Sequence, residues 1–226
     1  MTTEASKRDR HFPLPLTLQS RPLVFRPMDA GCRDAMLDFA RALPEQDLLF
    51  LDRDIARATV IDAWVEDVSH GKFVTIVAWQ DDKIVGYATM DRGDARWTQH
   101  VAELRVVVSE TCRGIGLGRW LLELVFEMAL EAGATKIVAR MTPDQAGART
   151  MFQRLGFEQE AVLRDHALDA NGLAHDLLVL SFHTSQHPDN RCGSCGVSVL
   201  APLSLEGTRL CSLCYELRYE ELGSGD

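Results

Sequence analysis

No stretch of this 226-residue chain stays apolar for the roughly 18 residues a membrane-spanning helix needs, so no membrane role is expected. The first twenty residues, MTTEASKRDRHFPLPLTLQS, lack an apolar core followed by a small-residue cleavage site. They read as a flexible arm and not as a secretory leader, and a reducing, cytoplasmic location is the expectation. Internal repeats and low-complexity tracts are missing too. Basic charge is scarce: 24 Lys and Arg stand against 33 Asp and Glu, a formal net charge of −9. So acidic a chain is a poor binder of nucleic acid or anionic membranes in general.

What remains is ordinary globular composition, 46% hydrophobic and 25% charged, with length for one full domain and an appendage. The six cysteines are unevenly spread: Cys32 and Cys112 stand alone, while Cys192, Cys195, Cys211 and Cys214 crowd the C-terminal end. Upstream of that cluster, SQHPDN strings turn formers together without apolar periodicity and reads as a linker. The expected division is an arm over 1–20, a main domain over 21–184, and a linker with a small module over 185–226.

Within the main domain LVFRPM reads as a strand, and helices follow over the stretch stopping near Pro44 and over 53–71, closed by Gly71. The β-rich runs FVTIVAWQ and KIVGYATMDR, separated by Asp81 and Asp82, predict a hairpin. A further strand, VAELRVVVS, enters the glycine cluster RGIGLG, and an amphipathic helix runs on to Gly133. Then come strand TKIVARM, the short helix in PDQAGARTMFQRLG, a hairpin turned at Asn171-Gly172, and a last strand DLLVLSF. The order combines an antiparallel hairpin with crossover helices, so the fold class is an α/β sandwich on a mixed sheet. The stripe Leu121, Leu122, Val125, Phe126 and Ala129 reads as helix core.

A glycine-rich turn between strand and helix gathers backbone N–H groups and a helix positive end, which favours a phosphate. Alone this is a weak signal, compatible with a ligand-free tight turn. A dinucleotide fold would need a parallel βαβ unit at the start of the domain, and here a hairpin precedes the loop. Strand AELRVVVS, then Arg113-Gly114-Ile115-Gly116-Leu117-Gly118, then helix, strand and a helix ending Phe152-Gln153-Arg154-Leu155-Gly156-Phe157, resembles the GNAT family of N-acetyltransferases over roughly residues 22–183. The family's Arg/Gln-x-x-Gly-x-Gly/Ala pattern is met by Arg113, Gly116 and Gly118.

The resemblance implies a mixed, mostly antiparallel sheet flanked by helices. It also implies acetyl-CoA with its pyrophosphate on the amides of Arg113, Gly114, Ile115, Gly116, Leu117 and Gly118. The pantetheine arm would pair strand-like with Val106, Val107 and Val108. The implied reaction is acetyl transfer to a primary amine, on a small molecule or a protein lysine, by direct attack in a ternary complex. An amine of pKa about 10 is mostly protonated at neutral pH, so a base is needed. Glu103 is the candidate, and an exposed strand carboxylate or a partner for Arg105 is the competing reading. The Val106 amide is the candidate donor to the carbonyl oxygen.

The leaving-group side departs from the family: where many members carry a tyrosine after an asparagine with six residues between them, this chain has Phe152 and Gln145. Phenylalanine donates no proton, which leaves Gln145 to hydrogen-bond pantetheine, Phe152 to pack beside it, and other hydroxyls, Tyr87 among them, as replacements. The departure keeps a rival open, a non-catalytic acyl-CoA sensor or adaptor whose terminal module binds a protein partner. Cys112 beside the loop reads as a bland cysteine before an acylated one. His166 and His175 flank the late hairpin, facing the acceptor groove or solvent. The segment 43–70, with Glu45, Asp47, Asp52 and Asp54, is expected to wall that groove and to favour a cationic amine.

Cys192-x-x-Cys195, fifteen residues, then Cys211-x-x-Cys214 is the spacing of a four-thiolate structural zinc site. Two disulfides or a redox pair are the competing readings. A turn at Glu206-Gly207 and a helix over LCSLCYELRYEEL would make a treble-clef or zinc-ribbon-like module. Residues 189–226 hold three Arg and six acids, so phosphate is the wrong partner. The metal serves to fold a module too small for a core of its own, and the surface to cap the main domain, self-associate or recruit a protein.

Overall fold

In chain order the protein forms β1 (Leu14–Leu18), β2 (Arg21–Pro27), α1 (Arg33–Arg41), α2 (Glu45–Leu48), α3 (Ala58–Ser69), β3 (Phe73–Gln80), β4 (Lys83–Asp91), β5 (Val101–Val108), α4 (Leu117–Glu131), β6 (Lys136–Met141), α5 (Ala146–Arg154), β7 (Glu158–Leu168), β8 (Ala174–His183), β9 (Leu203–Leu205) and β10 (Thr208–Leu210). The structure, a computed structural model, describes residues 12–49, 51–169, 171–186, 192–194, 203–205, 207–211 and 214. No helix among the described residues is long and apolar enough to cross a membrane.

Eight strands make one sheet in the order β1-β2-β3-β4-β5-β6-β8-β7, antiparallel at every pairing except β5 with β6. That one parallel pair is bridged by α4, as a same-direction return requires a crossover. The sheet is sandwiched. Leu121, Leu122, Val125, Phe126 and Ala129 of α4 pack with Ile76 and Ala88 on one face, so the amphipathic stripe is core. On the other face Met36 and Phe39 of α1 and Ile61 and Trp64 of α3 pack with Val77, Trp79 and Tyr87. Central strands covered on both faces read as continuous apolar runs, which is why β3 shows no polar alternation.

The structure corrects the extent of the N-terminal arm. Residues 14–18 form an edge strand against β2, burying Leu16 and Leu18. Pro13 and Pro15 mask that strand in the sequence, and an edge is where proline is tolerated, because one side of the backbone has no ladder to satisfy. Residues 1–11 lie outside the described residues. The late hairpin is larger than its turn signal suggests, with β7 starting at Glu158.

Candidate active site

β5 and β6 part company early. Their parallel register runs from Val101 opposite Lys136 to Glu103 opposite Val138 and stops there. On the other side of β5, Ser109 N–H donates to Val85 O at 2.9 Å, one step past the Gly86/Val108 pair. Antiparallel ladders alternate bonded and non-bonded pairs. Hence Tyr87/Val107, Thr89/Arg105 and Asp91/Glu103 are the bonded ones, and the N–H and C=O of Val106 and Val108 turn away from β4 into the gap. Arg113 Nε, donating to Val108 O at 3.4 Å, closes one end of it.

The loop after β5 becomes α4 through two left-handed glycines, Gly114 at φ +78° and Gly116 at φ +90°. Gly116 is the N-cap, with no side chain over the helix start, so the first α4 amides are left for a ligand. Gly118 lies close to its neighbours: a Cβ there would be 3.3 Å from Met151 Sδ and 3.5 Å from Val108 Cγ2. Arg113 is steered by Asp47 at the end of α2. Cys112 is buried beneath the loop, with its sulfur near Arg21 and Gln80, which is the bland reading.

The opposite face of the sheet holds a small cavity of about 60 Å³, whose lining includes Asp52, Trp64, Tyr87, Thr89, Asp91, Glu103 and Arg105. Both carboxylate oxygens of Glu103 accept from Arg140 on β6, one at 2.8 Å from Nε. Arg105 lies 3.7 Å from Glu103 and bonds Asp52 at 2.5 Å. The expected Glu103 to Arg105 pairing is therefore secondary, because parallel register sets Arg140 beside Glu103 and draws Arg105 to the α2–α3 segment. Burial pushes the Tyr87 phenol above its ordinary range, so it stays protonated. A wider cleft lies between Glu45 and Gln46 of α2 and Asp169 and Asn171 at the β7–β8 turn.

Residues 36–157 match the acetyltransferase (GNAT) family. The chain belongs to that family. This GNAT protein therefore carries out acetyl-CoA-dependent acetyl transfer in the general sense of its family. Solved structures agree in fold. The chain is 24% identical to a ribosomal-protein-alanine N-acetyltransferase from Brucella melitensis, with a TM-score of 0.62 and coverage of 70% of this chain and 98% of that one. It is 22% identical to yncA from Salmonella typhimurium, solved with its cofactor acetyl-CoA, with a TM-score of 0.63 and coverage of 73% and 95%. A GNAT acetyltransferase from Streptococcus pneumoniae matches at 18% identity, TM-score 0.62, over 71% and 99%. No curated protein matches the chain in sequence.

Other expected residues of this GNAT chain are distributed unevenly. Gln145 caps the turn before α5, its Oε1 accepting from Thr142 N–H at 3.1 Å. Phe152, expected beside the cofactor, is 4% exposed and stacks edge-on against Phe157 at 4.9 Å. The ring packs in the sheet-side core beside Phe157. Asp54 and His166 are exposed, while His175 bonds Asp169 at 3.1 Å. Arg140, Asp91 and Thr89 were not singled out in the sequence. No local signal marks them, since only register brings them to the pocket.

At the far end β9 and β10 pair around Gly207, and the thiol sulfurs of Cys192, Cys211 and Cys214 lie within 4.8 Å of one another. Cys192 and Cys211 are buried with Leu210, and Cys214 N–H donates to Cys211 Sγ at 3.4 Å. Three soft donors in this cluster suit zinc. Cys195 lies outside the described residues, as does most of the segment expected to be helical after Cys211.

Proposed function

We propose that the chain is an N-acetyltransferase that moves an acetyl group from acetyl-CoA to a primary amine, of a small molecule or a protein lysine, by direct attack in a ternary complex. The observation carrying this reading is the gap beside β5, with the glycine loop at one end and an acid-lined pocket on the other sheet face. Backbone donors over 113–118, of which the Arg113 amide already bonds Glu110 O, and the gap-facing Val106 groups and Val108 N–H suit a pyrophosphate and an extended amide arm. When bound, acetyl-CoA supplies a thioester whose acyl carbon takes the amine lone pair and whose thiolate leaves.

The chain's own part is orientation and proton handling. Val106 N–H donates to the thioester carbonyl oxygen, as an oxyanion donor. Val107 packs on the pocket-side core behind it. Glu103 takes the amine proton directly or through water. A carboxylate offers about four lone-pair sites, so the Arg140 pair leaves room for it. Among the lining acids Asp52 is paired with Arg105 and Glu103 with Arg140, and Asp91 favours a cationic amine. The Gln145 amide group hydrogen-bonds the pantetheine end. Phe152 in place of a tyrosine favours a second reading, a non-catalytic acyl-CoA sensor or adaptor.

The terminal module, on this reading, holds structural zinc through Cys192, Cys195, Cys211 and Cys214 and offers a surface to a protein partner. Among the described residues the cysteines are free thiols, in keeping with a cytoplasmic setting. The test is coenzyme A release from acetyl-CoA across a panel of amines and lysine peptides, comparing wild type with Glu103→Gln. Amine-dependent release that falls by roughly 10²- to 10⁴-fold in the variant is expected. Tight acetyl-CoA binding without release would move the protein to the sensor class.

A further inference from the structure

The pocket face of β4 carries two hydroxyls, that of Tyr87, which the sequence offers as a replacement proton donor, and that of Thr89. Tyr87 is 2% exposed, held edge-on by Trp64 and Phe39 at 5.0 and 6.1 Å between ring centroids. Its side chain lines the cavity, and its hydroxyl has no hydrogen-bond partner among the described residues.

Two residues along the same face, Thr89 ends a directed relay. Trp64 Nε1–H donates to Thr75 Oγ1 at 3.2 Å, and the Thr75 hydroxyl donates to Thr89 Oγ1 at 3.3 Å. An indole N–H only donates, so the relay runs one way. Its last proton, on Thr89, has no acceptor among the described residues, and Thr89 also lines the cavity. Protonated Tyr87 and the end of this relay thus give the cavity two donors awaiting an oxygen.

We propose that the pocket receives an amine that also carries a neutral hydrogen-bond-accepting oxygen, as an amino alcohol does, with that oxygen bound by the Tyr87 and Thr89 hydroxyls. The inference rests on the transferase reading and deepens it. The cavity is lined by Arg53 and Arg105 as well as by acids; Asp52 bonds Arg105 and Glu103 bonds Arg140, which leaves Asp91 as the lining carboxylate to meet the cationic nitrogen. A volume of about 60 Å³ admits a short substituent. The aliphatic stem of a lysine would leave both hydroxyls unpaired. A site built to hydrogen-bond a substrate oxygen discriminates strongly against the analogue lacking it, because its own polar groups then lose their partners.

Propanolamine and butylamine differ by a hydroxyl for a methyl and form the test pair. Turnover with acetyl-CoA is measured for wild type, Tyr87→Phe and Thr89→Val, with calorimetric binding of each amine to the desulfo-coenzyme A complex alongside. Wild type is expected to favour propanolamine by at least about tenfold in kcat/KM. Each variant should bring that ratio toward one, mainly through KM, at an unaltered acetyl-CoA affinity; Tyr87→Phe should leave the melting temperature unaltered, whereas Thr89→Val lowers it by removing the acceptor of the buried Thr75 hydroxyl. A wild-type ratio near one, or a ratio retained in both variants, overturns the proposal. If neither amine is turned over, hydroxyl-dependent binding that Tyr87→Phe abolishes supports the pocket assignment and defeats the transferase reading. Equal or absent binding of the two amines overturns the pocket assignment itself.

Discussion

Glu103 and Arg140 tie β5 to β6 at the point where the two strands separate. Glu103 is the last β5 residue in parallel register, and Arg140 reaches it from two residues beyond its register partner Val138. The carboxylate in turn holds the Arg140 guanidinium above its ordinary pKa range, chiefly through this hydrogen-bonded pair. One ion pair thus fixes both the start of the gap and the direction of the pocket carboxylate.

Arg140→Met should therefore damage orientation more than folding. The pair is part-exposed, and such pairs contribute little stability. A misaimed reacting group, in contrast, lowers rate on the order of 10²-fold. Steady-state kinetics with a good amine, beside a thermal melt, separates these effects. A kcat within twofold of wild type would show that Glu103 needs no strut.

Gly116→Ala tests the loop. Its φ of +90° is left-handed, so alanine should lower stability by about 1–2 kcal/mol and weaken acetyl-CoA binding by shifting the helix-start amides. Gly118→Val meets Met151 and Val108 instead, and the expected loss lies in cofactor affinity through displaced β5 side chains. Calorimetry with acetyl-CoA and denaturant melts read both. Unchanged affinity in both variants would remove the loop from the cofactor site.

The cysteine cluster predicts one zinc per chain by elemental analysis. Cys192→Ser and Cys211→Ser should each abolish stoichiometric metal, since a closed thiolate site has no spare ligand. A strong chelator should erase the β9–β10 amide protection and leave the eight-stranded sheet intact. Purified protein with paired disulfides and no metal would refute the assignment.

The β7–β8 turn should open in acid. Asp169 lies below the ordinary aspartate range, first through its bond with His175 and then through the Leu173 and Asn171 amides. A carboxyl whose folded pKa is depressed contributes stability above its unfolded value of about 4, and loses it as pH falls through the lower folded value. Hydrogen-exchange protection factors at Asn171 and Leu173, corrected for the intrinsic pH dependence of exchange, should be high at about pH 5 and fall through that window. Asp169→Asn should flatten the response, and protection that ignores pH would show the cap to be idle.

Local signals carried the reading a long way where one element sufficed. The eight residues of FVTIVAWQ give β3 without a residue's error, and Asp81 marks its turn, because β-branched runs and turn formers act on their own neighbours. The glycine string marks the strand-to-helix loop for the same reason. Pro13 and Pro15 concealed β1, whose existence depends on an edge position that no neighbouring residue announces. That Phe152 packs edge-on against Phe157 is likewise a matter of how α5 lies on the sheet.

By itself, then, the sequence determined the order and kind of the elements, the glycine loop and the cysteine spacing, since each depends on residues a few positions apart. Which acid meets which base was decided only by the tertiary structure. Glu103 finds Arg140 thirty-seven residues on, and Arg113 finds Asp47 sixty-six residues back. Tyr87 and Thr89 face a cavity closed by Asp52 and Trp64 from other elements. Those partnerships follow from strand register and from the layer that covers the sheet. Both are set by burial of the whole core, and no window of the sequence contains them.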